Sequence, residues 1–265
     1  VLIAHLSDPH LREAGVLYQG LVDSNAMFDR ALETLAALDP APDIVIIGGD
    51  LVDEGRPAEY ASVIKALSRL RQPVFAIPGN HDERVAFRSA LGDFVPVTDS
   101  GPLHFDTGTE RPVRILGWDI TVPGDHHGQI DEDAIAWLET RLAEAPDQPT
   151  AILMHQPPVN TGIHFIDAYR CFGESRLGAL LPLFPNVERI LCGHVHRSIQ
   201  TRFAGVPLTI APSTSSSIAL RLAEDAEPAS YVEPPAFLLH DWRGHGPMVT
   251  HWVPVGQHRG PLPYF

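Results

Sequence analysis

Cysteine is scarce. Cys171 and Cys192 are the two thiols in 265 residues, too few for a disulfide scaffold. They are expected to be free and buried rather than bridged, which fits a reducing cytoplasm. Basic residues are also outnumbered, 19 Lys and Arg against 33 Asp and Glu, for a formal net charge of −14. With no Lys/Arg-rich block, the chain lacks the basic groove that tracking a long nucleic acid requires. Bound metal ions could still make one cleft locally positive. No apolar run reaches the ~18–20 residues needed to span a bilayer. The first segment, "VLIAHLSDPH", lacks a basic n-region and turns polar too early for a signal peptide; it reads as a buried strand. What remains is a chain with 44% hydrophobic and 20% charged residues, able to bury a sizeable core as one large domain or one domain with a small appendage.

Short, β-branched apolar runs bounded by Gly and Pro read as fully buried strands. Five of them end alike. "VLIAHL" (1–6) runs into Ser7-Asp8-Pro9-His10, and "IVII" (44–47) into Gly48-Gly49-Asp50. "VFAI" (74–77) is followed by Pro78-Gly79-Asn80-His81-Asp82, "AILM" (151–154) by His155, and "RILC" (189–192) by Gly193-His194-Val195-His196. Between them lie segments of helical period. Tyr60, Val63, Ile64, Leu67 and Leu70 share one face of 57–70, with Pro57 suited to its first turn. Ile135, Leu138 and Leu142 share a face of 131–142, and 26–38 forms another helix stopped before Pro40. Alternating strand and helix predicts an α/β fold, in which ligands gather beyond the carboxyl ends of the strands.

One polar strand end is a solvated loop. Five, all ending in Asp, Asn or His, predict a metal centre. Asp8, His10, Asp50, Asn80, His155, His194 and His196 make seven candidate ligands, more than one tetrahedral ion can use. Two ions are therefore expected, with Asp50 as the bridging carboxylate. Imidazole and carboxylate without thiolate suit Fe, Mn, Zn or Co.

In order and spacing these motifs resemble the calcineurin-like metallophosphoesterase superfamily over roughly residues 1–200. "LYQGLVDSNA", "GDLVDEGRPAEY" and "IPGNHDER" are most similar to the class III cyclic nucleotide phosphodiesterases and the bacterial glycerophosphodiesterases among them. The resemblance implies a four-layer αββα sandwich, with residues 1–200 as catalytic core. Residues 201–265 would supply remaining core strands and a C-terminal extension. It implies one ion held by Asp8, His10, Asp50 and His196, and another by Asp50, Asn80, His155 and His194. The pair would be divalent or mixed-valence, and a hydroxide on the metals would be the nucleophile. His81 would contact the phosphoryl group, placing Asp50, Asn80 and His81 in the catalytic set. Two divalent ions less two aspartates and one hydroxide leave a nominal charge of about +1, suited to a monoanionic diester. The substrates implied are small diesters such as 3',5'-cyclic nucleotides or glycerophosphodiesters.

Departures sharpen the expectation. Protein Ser/Thr phosphatases of the superfamily carry an arginine where this chain has Glu54 in "GDLVDEG", which argues against a protein phosphatase. Some glycerophosphodiesterase relatives place a further histidine after a late strand, where "APSTSSS" offers serines. A phosphomonoesterase or nucleotide pyrophosphatase on the same site is the alternative activity. A non-catalytic scaffold would have lost ligands, and none is lost.

Other histidines are not expected to bind metal. His126 and His127, in "PGDHHGQI", read as a solvated loop. His5 reads as locally bonded, and His104, His240, His245, His251 and His258 as surface or satisfied core residues. Asp53 and Asp82 should brace or cap their neighbours. Segment 160–175 is expected to overhang the site, with His164 a candidate substrate contact. Residues 222–265, rich in proline, are expected to hold few regular elements and to pack on another copy in a homo-oligomer. Neither membrane nor long nucleic acid is expected as a partner.

Overall fold

The computed structural model describes residues 1–260, 262 and 263. Its first third alternates β1 (Leu2–Leu6), α1 (Ser24–Ala36), β2 (Ile44–Ile47), α2 (Pro57–Leu67), β3 (Val74–Ala76) and α3 (Arg84–Leu91). Next come β4 (Phe105–Asp106), β5 (Arg114–Gly117), β6 (Gly128–Gln129), α4 (Glu132–Glu144) and β7 (Thr150–Leu153). A short α5 (His164–Asp167), β8 (Cys171–Phe172), α6 (Glu174–Leu180) and β9 (Val187–Cys192) follow. The remaining strands are β10 (Ile199–Phe203), β11 (Val206–Ile210), β12 (Ser217–Ile218), β13 (Ser230–Tyr231), β14 (Ala236–Asp241) and β15 (Val249–Pro254).

Two large sheets result, one ordered β15-β14-β1-β2-β3 and the other β10-β11-β9-β7-β5-β4. The period of two sorts each strand's side chains between two environments. Ile3, Ile44 and Ile46 face Ile115, Leu153 and Leu191 across the space between the sheets. Ala4, Leu6, Val45 and Ile47 point the other way, onto Phe28, Leu32, Tyr60 and Phe87 of the first three helices. On the second sheet, Ile152, Ile190 and Cys192 meet Leu138, Leu142 and Leu177 of α4 and α6. The layers therefore run helix, sheet, sheet, helix. Each fully buried aliphatic or aromatic side chain contributes on the order of 1.5–3 kcal/mol.

Local chemistry fixes the helix starts. Asp23 accepts the Ala26 N–H ahead of α1, and Asp131 does the same for Ala134 ahead of α4. Pro57 opens α2. That helix ends at Leu67, so Leu70, expected on its face, packs on the core from beyond its last turn. The proline-rich tail is more regular than its composition suggests. β14 lies antiparallel to β1, and β15 pairs with β14, so residues 236–254 complete the first sheet. Among the described residues no helix is long and apolar enough to cross a membrane.

Candidate metal centre

The ladders of the parallel strands continue past their ends. Asp8 N–H donates to Gly49 O and His10 N–H to Asp50 O, both at 3.1 Å. To turn their side chains inward, Asp8, His10, Asp50, His194 and His196 take left-handed backbone, with φ of 53°, 45°, 50°, 68° and 54°. Such conformations cost a non-glycine residue roughly 1–3 kcal/mol each and persist only where the surroundings impose them. Glycines make the approach possible. A Cβ on Gly193 would strike the Ser7 hydroxyl, and one on Gly79 would strike the Asp50 carboxylate.

Three groups of side chains converge in the space so formed. Asp8, His10, Asp50 and His196 form one, Asp50, His155 and His194 a second, and His10, Asp53 and His81 a third. Asp50 belongs to the first two. Asn80 adjoins the second group, its Oδ1 3.0 Å from His194 Nδ1. Ring orientations are fixed from behind. His155 Nδ1–H donates to Gly48 O at 2.7 Å, directing Nε2 toward Asp50 Oδ2 at 3.3 Å. His196 Nδ1–H donates to Ser216 O at 3.0 Å, leaving its Nε2 facing His10 Nε2, also at 3.0 Å. Ser213 and Ser215 both donate to Asp8 O, and Ser24 donates to His10 O.

The donor set fits metal ions. His155 Nε2 is buried without a hydrogen-bond partner, and such an orphaned group costs roughly 1–3 kcal/mol. Neighbouring ligands on an octahedral ion with bonds of ~2.1 Å lie about 3 Å apart, the separation found between His10 and His196 and between Asn80 and His194.

The field of the cluster attracts cations. Burial pushes the Asp8 carboxyl up, but His196 and His155 more than offset it and hold Asp8 at about 2. Asp50 is held well below the ordinary range despite its burial, chiefly by His155 and His81. Burial opposes charge on His155, yet Asp50 and Asp8 raise it to about 9. His194, burdened by burial and by His155, falls to about 3.

Asp53 and Asp82 serve as braces. Asp82 accepts from Leu51 N–H, Gly79 N–H and the Tyr60 hydroxyl, tying the Asp50 and Asn80 turns together. Asp53 is held by Arg12, and its carbonyl accepts His81 Nδ1–H at 2.6 Å. Burial opposes charge on His81, but Asp50 and the Asp53 carbonyl outweigh it and raise its pKa. Glu54 is paired with Arg12 and Arg56.

Above the clusters opens a cavity of about 500 Å³ whose lining includes Tyr18, His81, His126, Tyr169 and Ser216. No arginine or lysine is among the described residues that line it, and Glu54 is not either. Segment 160–175 does overhang the site, through Ile166 and Tyr169. His164 does not. It is exposed and absent from the lining, because α5 turns Ile166 inward and His164 outward. Tyr169, not His164, lines the cavity from this segment. Asp167 staples the turn, accepting from Thr161 and Gly162. His127 pairs with Asp125, as a loop residue would. His126, expected in the same solvated loop, instead reaches Asn80 at 3.2 Å. Nothing local to "PGDHHGQI" signals this; the contact is made by tertiary packing. His104 stacks on Trp137, and both cysteines are free and buried.

The sequence matches the model of the calcineurin-like phosphoesterase family over residues 1–198. It is 33% identical over 265 residues to the glycerophosphodiester phosphodiesterase GpdQ of Enterobacter lignolyticus, covering 100% of this chain and 95% of the relative. It is 30% identical over 216 residues to the 3',5'-cyclic adenosine monophosphate phosphodiesterase CpdA of Escherichia coli K12, covering 81% and 76%. A dimetal phosphatase from Danio rerio shares the fold, with a TM-score of 0.61 at 14% identity over 96% of this chain and 99% of its own.

Proposed function

This chain belongs to the calcineurin-like phosphoesterase family, and from that premise we propose that it hydrolyses small phosphate diesters with two first-row metal ions. Asp8, His10, Asp50 and His196 would hold one ion, and Asp50, Asn80, His155 and His194 the other. When bound, such a pair supplies a nucleophile from water at neutral pH and neutralises charge on the phosphoryl oxygens. The residues do the rest. Asp50 would be shared by the two positions. Asn80 and His81 border the cavity where the phosphoryl group would lie. His81 has its Nδ1–H committed to the Asp53 carbonyl, so its Nε2 is free to hold a phosphoryl oxygen or give a proton to the departing alkoxide.

The observation that carries the diester reading is the cavity wall. A monoester brings a second negative charge, which a fixed arginine or lysine would hold. None lines this cavity among the described residues, and Glu54 occupies the position where the superfamily's protein phosphatases carry arginine. The wall instead offers Tyr18, Tyr169, Ile166 and Ser216, suited to the uncharged second ester group of a glycerophosphodiester or cyclic nucleotide. The test is a panel on metal-reconstituted protein. Bis(p-nitrophenyl) phosphate, glycerophosphodiesters and cyclic AMP should be hydrolysed with higher kcat/KM than p-nitrophenyl phosphate. A preference for the monoester would overturn the reading.

The buried free thiols support a cytoplasmic setting. We further propose a homo-oligomer in which a second copy covers the segment exposing Leu220, Leu222, Tyr231 and Val232; light scattering from the intact chain should give more than a monomer mass.

A further inference from the structure

An amide is an ambiguous ligand, because its two ends are alike in shape and only the oxygen has a lone pair to give a cation. Something must decide which end of Asn80 faces the ions. Asn80 Oδ1 lies 3.0 Å from His194 Nδ1, and Asn80 Nδ2 lies 3.2 Å from His126 Nδ1. In the tautomer that carries its hydrogen on Nε2, the His126 Nδ1 can only accept, and it then selects the NH₂ end. The loop that carries His126 is itself held. The His126 backbone carbonyl accepts from Gln156 Nε2 at 3.1 Å, and the same nitrogen reaches Asn80 Oδ1 at 3.4 Å. Gln156 is fully buried directly after His155. The His126 ring meets Tyr169 edge-on, with centroids 5.6 Å apart.

We infer that His126 is a positioning residue for the second ion: by accepting the Asn80 N–H it holds the amide oxygen toward His194 and His155. This deepens the two-ion reading and rests on it. His126 is exposed, so its replacement leaves the core untouched.

The test is calorimetric titration of the metal-free full-length chain with Mn²⁺ alone. His126→Ala should weaken the second ion by roughly 10–100-fold, the usual cost of losing a group that orients a ligand, and leave the first unchanged. His126→Asn should restore most of the affinity, because its Oδ1 stands where the imidazole Nδ1 stood and also accepts. Asn80→Asp abolishes the N–H, so adding His126→Ala in that background should cost nothing. An unchanged second affinity in His126→Ala overturns the inference, as does an equal loss with Asp at 80. A wild-type chain that takes up a single ion overturns the two-ion reading itself, and this inference with it.

Discussion

At the scale of the residue, His81 and His155 carry the most chemistry. If His81 gives the proton to the leaving group, its loss should hurt most where that group is a poor one. An alkoxide of glycerol or ribose needs the proton, whereas p-nitrophenolate departs largely unaided. A positioned general acid contributes roughly 10²–10⁴-fold, so His81→Ala should cost alkyl diesters about that factor in kcat/KM and bis(p-nitrophenyl) phosphate much less. Equal losses across a leaving-group series would leave His81 as an electrostatic clamp only. His155, raised to about 9 by Asp50 and Asp8 against its burial, is expected to carry a proton at pH 7.5 in the metal-free fold. A metal ion must displace it. Metal uptake at pH 7.5 should therefore release about one proton from this histidine, read from calorimetric enthalpies in buffers of different ionisation heat. Release that persists unchanged in His155→Gln would assign the proton elsewhere. The ligand-type residues were legible because each closes an apolar run with a residue from the metal-binding alphabet. His126, Tyr18 and Tyr169 were not, since their roles depend on which distant loops meet above the sheets.

At the scale of the element, the centre is a set of tight turns after buried strands. Short Gly- and Pro-bounded runs made β1, β2, β3, β7 and β9 visible in the sequence. β15 was not, because edge strands alternate polar and apolar residues with several side chains in solvent: "VTHWVP" exposes Val249, His251 and Trp252. β14 was obscured by the prolines that precede it. The turns can be tested through their glycines. Gly49 has φ of +103°, and a Cβ there would strike the His155 ring and approach the Gly79 backbone at 2.9 Å. Gly15 is also left-handed, at +84°, but faces open space. Gly15→Ala should thus cost only the backbone strain, about 1 kcal/mol. Gly49→Ala adds a collision with backbone that cannot move aside and should cost at least ~2 kcal/mol more. Urea unfolding of both variants without metal separates the two costs. Equal losses would mean that the turn has room to spare.

At the scale of the whole molecule, the first sheet is closed by a strand from the far end of the chain, and the seam between β1 and β14 contains two buried histidines. His5 Nδ1 lies 3.3 Å from His240 Nε2, and His240 Nδ1 contacts the Thr250 hydroxyl at 2.8 Å. Both side chains are fully buried. Burial lowers His5 to about 3, with Asp8 opposing only in part. Burial, His5 and Arg189 hold His240 well below its usual value. A histidine whose pKa falls on folding contributes stability that is present above its unfolded value of ~6.5 and is lost as pH falls below it. At pH 5 the loss is about 2 kcal/mol for each histidine that stays neutral in the fold. The metal ligands also titrate on this path, so wild-type behaviour alone does not isolate the seam. His240→Gln removes one titrating group and keeps a polar side chain for Thr250. Measured by urea unfolding at pH 7.5 and pH 5, this variant should lose about 2 kcal/mol less on acidification than the wild type. The same pH dependence in both proteins would show that His240 is free to take up a proton where it lies, and that β14 is not locked to β1 through a neutral pair.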